Sequence, residues 1–168
     1  VYKLVPVRTR LPKGSSQIDM GQIDTDIMFD KVMQWDWGNS ESLSIYHDPE
    51  TRRNSITYRM NLSRLMTKLI AEGKMDKAKK VIDLAMTKMP VDQFEYYSLV
   101  DPFAKGYYDV GEKAKAQKLL NQLIGKYTEN LNYYSHLSST EQVDIAIEIV
   151  TDIERYRCLL YTSDAADE

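Results

Sequence analysis

Cysteine is nearly absent from this chain. Its 168 residues include one, Cys158, which allows neither an internal disulfide nor a cysteine-rich zinc site. Histidine is almost as scarce: His47 and His136 stand alone in the sequence, so a zinc or nucleophilic constellation has nothing local to build on. Long apolar runs are lacking, and none approaches the roughly 18 residues of a membrane span. No signal peptide is visible, and the chain opens on Val1, so we expect it to start within a longer protein. A surplus of positive charge is missing as well. Lys and Arg total 22 against 25 Asp and Glu, a net charge of -3. Leaving out Asp164, Asp167 and Glu168 brings this to -3 + 3 = 0. Nucleic-acid binding needs clustered cations, so no nucleic-acid partner is expected.

What is present is an ordinary globular composition, 43% hydrophobic and 28% charged, enough for a core. Residues 1–7, VYKLVPV, alternate like a short strand, with Pro6 favouring an edge or an extended arm. TRLPKGSSQIDMGQ is a loop by composition. A first helix is expected from Asp24 or Thr25, with Ile27, Met28, Val32 and Met33 at helical spacing. WDWGNSESLSIY breaks the pattern and predicts a turn. Asp48-Pro49 is a strong helix start, Asp as N-cap and Pro in the first turn, where a missing amide costs little. From there to Ala71 the spacing predicts one long helix with Ile56, Met60, Leu62, Leu65, Met66, Leu69 and Ile70 as its apolar stripe. Gly73 ends it. DKAKKVIDLAMTKM makes a second helix that stops at Pro90. A second pair follows, FEYYSLVDPFAKGYYDV and KAKAQKLLNQLIGKY, joined at Gly111, with Pro102 forcing a kink or restart near Asp101. SSTEQ reads as a capping box opening a last helix through Val143, Ala146, Ile147, Val150 and Ile153.

The two pairs are copies. AEGKMDKAKKVIDLA aligns with DVGEKAKAQKLLNQL, placing Gly73 over Gly111, Ala78 over Ala116 and Ile82 over Leu120 at an offset of 38 residues. Such periods mean stacked helical hairpins, each unable to bury its apolar face alone. The pattern resembles a tetratricopeptide repeat. Leu62, Leu65 and Leu69 match its large first-helix positions, Ala78 and Ala85 its small second-helix positions, and Pro90 its closing proline. Phe103, Ala104, Tyr107, Ala116 and Leu120 match in the second copy. There Leu123 and Thr128 depart from the pattern, as bulky Met66 does in the first. The expected fold is all-α: a tetratricopeptide-like array of two hairpins plus a capping helix over 48–157, preceded by an irregular, extended leader over 1–47 with one short helix and an aromatic turn. Two copies fall short of the roughly three that an array needs, so the leader is expected to pack on it.

Candidate chemistry is sparse. Asp24 and Asp26 could share a hard cation only on a segment pointing both carboxylates one way, and their place at a helix start favours capping. Trp35 and Trp37 are a possible aromatic platform for a sugar, with a corner plug under the loop as the plainer role. Tyr96, Tyr97, Tyr107, Tyr108, Tyr133 and Tyr134 fall at packing positions. Lys74, Lys77, Lys79 and Lys80 alternate with acids as on a solvated face. Ser16 and Ser63 lack the setting of a nucleophile elbow. No catalytic residue, cofactor or metal is assigned. In a repeat array the first helices of successive hairpins line a concave groove, which here would include Ser63, Thr67, Ile70, Ser98, Asp101, Lys105 and Tyr108, a surface for peptide or protein contact.

Taken in order, VYKLVPVRT, GQIDTDIMFDKVM, WDWGN and DPETRRNSITYRMNLSRLMTKLIAEGKMDKA resemble the carboxy-terminal region of a family of large multi-spanning bacterial membrane proteins. These are related to the protein O-mannosyltransferases of the membrane-embedded glycosyltransferase superfamily. The resemblance covers roughly residues 2–157. It implies a non-catalytic, periplasmic repeat module at the inner membrane, attached to a lipid-linked-sugar-dependent transferase. Its partners would be its own upstream membrane domain and an acceptor protein or peptide. The superfamily's catalytic carboxylate lies in a loop near the first membrane helices, a region outside this sequence. A free-standing repeat adaptor is the alternative, and a carbohydrate-binding module using Trp35 and Trp37 a third reading. Cys158 to Glu168 resemble a translated transposon-end sequencing adapter. Residues 158–168 are therefore read as a non-native tail expected to make few core contacts, though the last helix could run into them.

Overall fold

In a computed structural model, residues 23–164 are described, with side chains to Thr162. The strand-like start, the following loop and Ser16 lie outside them. The described residues are all-α, with no strand among them. Asp24 caps α1 (Thr25–Val32), its Oδ1 accepting from the Ile27 amide at 3.0 Å, as a capping role requires. Asp48 caps α2 (Pro49–Ala71) in the same way, at 2.9 Å from the Thr51 amide. The 23 residues of α2 bury Leu62, Leu65, Met66 and Leu69, but Met60 is exposed. Toward the amino end the buried residues are instead Ser55 and Arg59. On α1 the buried row is Thr25, Phe29 and Val32, whereas Ile27 and Met33 are exposed. The α1 face is set by its packing on α2, which selects the 25/29/32 spacing over the more apolar-looking one.

Two tight turns repeat the chain. α2 returns as α3 (Met75–Lys88) through Gly73 (φ 73°), and α5 (Asp101–Asp109) returns as α6 (Lys113–Ser135) through Gly111 (φ 81°). Each closes on the same hydrogen bonds. Gly73 and Lys74 amides donate to Ile70 and Leu69 carbonyls, both at 2.9 Å. Gly111 and Glu112 amides donate to Tyr108 (2.9 Å) and Tyr107 (2.8 Å) carbonyls, every partner displaced by 38 positions. The left-handed residue that this cap requires is why a glycine stands there in both copies. Ala78 and Ala116, the aligned small residues, are fully buried, and so are Ile82 and nearly so Leu120.

Between the copies the chain runs through α4 (Val91–Phe94) and a 3-10 turn, Tyr97–Leu99, before restarting at Asp101 with Pro102 in the first turn. Tyr107 of the second copy donates to Asp83 of the first at 2.8 Å, and Lys115 reaches the same carboxylate at 2.7 Å. The lysine row is only partly a solvated face. Lys74 and Lys77 grip Asp26 of α1 at 2.8 and 2.7 Å, and Lys79 pairs with Glu112. These ion pairs hold the Asp26 carboxyl down at about 2, the hydrogen bond from Lys74 leading.

The capping box at Ser138 and Glu141 is present, but the helix that it opens is short: α7 (Ser139–Asp144) ends at a turn, and α8 (Ala146–Asp164) follows. The expected apolar face of this region faces solvent. Val143, Ile147 and Val150 are 73%, 80% and 54% exposed, and Ile153 is exposed too. α8 packs on α6 with a different row, Asp152, Tyr156 and Leu159. Asn130 and Tyr134 donate to the Asp152 carboxylate at 2.9 and 3.0 Å, and Leu159 is buried in the core. The helix is apolar on two sides, and the polar partners on α6 choose which one turns inward. Of the side chains described from Cys158 to Thr162, Leu159 alone is buried, so that segment does add one core contact.

Asp101 lies at the start of α5, its Oδ2 accepting from Arg155 of α8 at 3.1 Å. Its side chain keeps 32% exposure, yet Oδ1 is sealed without a partner. Burial raises the carboxyl pKa to about 6 against the pull of Arg155. A carboxyl with a folded pKa above its unfolded one binds more protons when folded, so its contribution to stability improves as pH falls through 6 toward 3.8. Asp101→Asn should therefore be more stable than wild type at pH 7.5, by about 1 kcal/mol, with the gap closing by pH 5. Thermal unfolding of both across that range checks it, and a constant gap would contradict it.

Candidate functional site

After α1, Trp35, Asp36 and Trp37 lie outside any helix or turn. The two indoles come together there, half-buried against the core. Their ring centroids lie 5.8 Å apart, and Tyr58 of α2 meets them at 5.6 and 5.7 Å. The chain then reverses at Trp37-Gly38-Asn39-Ser40. Both central residues have positive φ, 55° and 60°, and the Ser40 amide donates to the Trp37 carbonyl at 3.0 Å, a type I′ turn. Asp36 Oδ1 accepts from the Gly38 amide at 2.9 Å.

The returning loop is fastened to the end of the first hairpin. Ser40 Oγ donates to the Lys88 carbonyl at 2.6 Å, and Gln93 Nε2 to the Ser42 carbonyl at 3.1 Å. His47 stacks on Phe94 with centroids 4.5 Å apart, and its Nε2 lies 2.8 Å from the Ser40 carbonyl, an acceptor that sets this nitrogen as the protonated one. Loop and helix enclose a groove of about 720 Å³. Trp35, Asp36, Trp37 and Gly38 form one wall, and Thr51, Asn54 and Tyr58 of α2 the other, with buried Ser55, Met89 and Phe94 as its floor.

Behind the floor lies Arg59, fully buried, with Nη2 donating to the Met89 carbonyl at 3.0 Å and Nη1 to the Glu95 and Tyr96 carbonyls. Desolvation lowers its pKa to about 10, which leaves it charged at neutral pH. Among the described residues no Lys or Arg lines the groove. Ser40 Oγ and His47 do not bond each other, since the serine hydroxyl is spent on Lys88 and the imidazole on a backbone oxygen. The described lining thus presents aromatic rings and hydrogen-bonding groups. The chain matches no known family model, curated protein or solved structure.

Trp35 and Trp37, expected as an aromatic platform or a corner plug, lie with their planes tilted 55° to each other, half-buried against the core, and both line this groove. The seven positions expected along a concave face lie elsewhere, and none lines it. On α2, Thr67 is exposed while Ser63 and Ile70 are half-buried. Ser98 and Asp101 are half-buried, Asp101 facing Arg155. Lys105 is exposed and pairs with Asp109 at 2.7 Å, and the Tyr108 hydroxyl donates to Gln117 at 2.9 Å. The expectation for the indoles left out their helix partners. Thr51, Asn54, Ser55 and Tyr58 recur at spacings of three, one and three along one face of α2, but Ser55 is buried while the other three are exposed, so the spacing alone did not mark them as a site.

Proposed function

We propose that this chain is a non-catalytic contact module of a membrane-attached, protein O-mannosyltransferase-like glycosyltransferase on the periplasmic side of the inner membrane. Its two hairpins and the α7–α8 pair act as a short tetratricopeptide-like array. The identical caps 38 residues apart support the array reading. The observation that carries a contact role is the apolar row Val143, Ile147, Val150 and Ile153, four aliphatic side chains left in solvent on α7 and α8. Apolar surface grouped in this way on a folded protein marks a face that another surface covers. The ordered motifs of the sequence support assigning that surface to the chain's own membrane domain or to its acceptor protein.

Two measurements test this. In an intact copy of the gene, several apolar spans upstream of Val1 support the transferase reading. A start codon close to Val1 would sink it in favour of a free-standing adaptor. Independently, Ile147→Glu and Val150→Glu should leave the unfolding free energy of the chain within about 0.5 kcal/mol, being surface changes, while weakening cross-linking of the module to the membrane domain in the full-length protein. Unchanged cross-linking would remove α8 from the contact.

A further inference from the structure

We propose that the groove framed by Trp35, Trp37 and Tyr58 is a binding site for a neutral pyranose sugar. The inference does not rest on the transferase reading, because an adaptor would carry the same groove.

A sugar ring has an apolar face of C–H groups and a rim of hydroxyls, and it needs a flat aromatic surface flanked by groups that both donate and accept. Trp35 and Trp37 on one wall and Tyr58 on the other supply ring faces, their centroids 5.6–5.8 Å apart and their planes tilted 55–74° to one another. The Asn54 amide, exposed on the α2 wall beside Tyr58, makes no hydrogen bond among the described residues and offers two donors and an acceptor. Asp36 spends Oδ1 on the Gly38 amide and keeps Oδ2 for a second hydroxyl. A volume of about 720 Å³ sits within the usual range of small-molecule sites and suits a mono- or disaccharide.

Charge and spacing exclude the competing ligands. Among the described residues no Lys or Arg lines the groove, so the described lining offers a phosphorylated or carboxylated molecule no counter-charge. A quaternary ammonium needs an open cage between ring faces, and rings already in mutual contact leave none. A peptide adding as a strand needs an unpaired strand edge, and the described residues have no strand. The walls are also held before any ligand arrives, by the I′ turn, the Ser40–Lys88 bond and the His47–Phe94 stack. Such preorganisation removes part of the ordering cost of binding.

Both tryptophans of the chain stand in this groove, so its indole emission reports on the site alone. The experiment titrates the 168-residue chain with methyl glycosides of mannose, glucose, galactose and N-acetylglucosamine and with their disaccharides, into the millimolar range. Choline and a proline-rich peptide run alongside. We expect a saturable change with at least one sugar, none with choline or the peptide, and roughly tenfold weaker binding in Asn54→Ala and Trp35→Ala. Asn54 is exposed, so its variant keeps the wild-type melting temperature and separates lost contact from lost fold. The proposal is overturned if no sugar perturbs either the fluorescence or the groove amide resonances of folded protein. It is equally overturned if sugar binding survives both substitutions, or if the peptide or choline saturates the site in place of sugar.

Discussion

Arg59→Met should cost about 3–5 kcal/mol, enough to leave much of the chain unfolded at ambient temperature. Arg59 is fully buried on α2, and among the described residues no carboxylate bonds to it. Its charge is met by the carbonyl dipoles of Met89, Glu95 and Tyr96, the segment joining the first hairpin to the second. That segment cannot satisfy itself. Met89 lies past the last turn of α3, and Glu95 and Tyr96 are consecutive non-glycine residues at φ 52° and 47°. Backbone in that region costs on the order of 1–3 kcal/mol per residue and persists only where its surroundings hold it. An apolar replacement of a buried ion pair can be harmless when both partners are removed. Here the carbonyls stay behind, so Met89 and Glu95 would face a methionine with their acceptors empty. Arg59→Lys should fall between, because one ammonium cannot span the carbonyls that the planar guanidinium bridges. Arg52→Ala is the control. Arg52 pairs with Glu95 at 2.5 Å, but Glu95 is half exposed, and the pair is worth less than about 1 kcal/mol. Urea unfolding followed by far-UV circular dichroism ranks the three. An Arg59→Met protein as stable as wild type would mean that the connection holds its own shape.

The features legible in the sequence are those that chemistry fixes locally. Asp24, Asp48 and Ser138 with Glu141 cap their helices because a side-chain oxygen ahead of a helix has orphan amides within reach. The 38-residue repeat was equally readable, since a left-handed cap and a fully buried second-helix position admit few residue types. Arg59 and Ser55 were not, because a polar residue on a helix declares nothing about what will cover it. Nor was the face of α8. Its sequence offers two apolar sides, and the partners that choose between them, Asn130 and Tyr134, lie on another helix. The groove divides in the same way. Trp35 and Trp37 announce themselves as flat rings two residues apart, whereas Tyr58 and Asn54 join them only because α2 passes beside the turn.

Met66 is the residue at which the first copy departs from a small-residue pattern, and the structure places the compensating small residue across the interface. Gly106 on α5 is buried against it. A Cβ built at Gly106 would meet Met66 Sδ at 2.4 Å and Ile82 Cδ1 at 3.1 Å, so a side chain at 106 has to push the Met66 thioether aside where α5 packs on α2 and α3. Gly106→Val should therefore destabilise by about 2–3 kcal/mol, overpacking outweighing the helix propensity that any side chain adds over glycine. Met66→Ala alone should cost about 2 kcal/mol or more through the void it leaves. The space is shared, so the double variant should be more stable than the sum of the two losses predicts by about 1 kcal/mol or more. Urea midpoints of the four proteins measure this coupling directly. Additivity within about 0.5 kcal/mol would show that Gly106 is small for some reason other than making room for Met66. A positive coupling would mean that the two hairpins exchange volume at their interface. Substitutions at 66 and 106 would then have to be chosen as a pair, the large residue on whichever helix leaves the other bare.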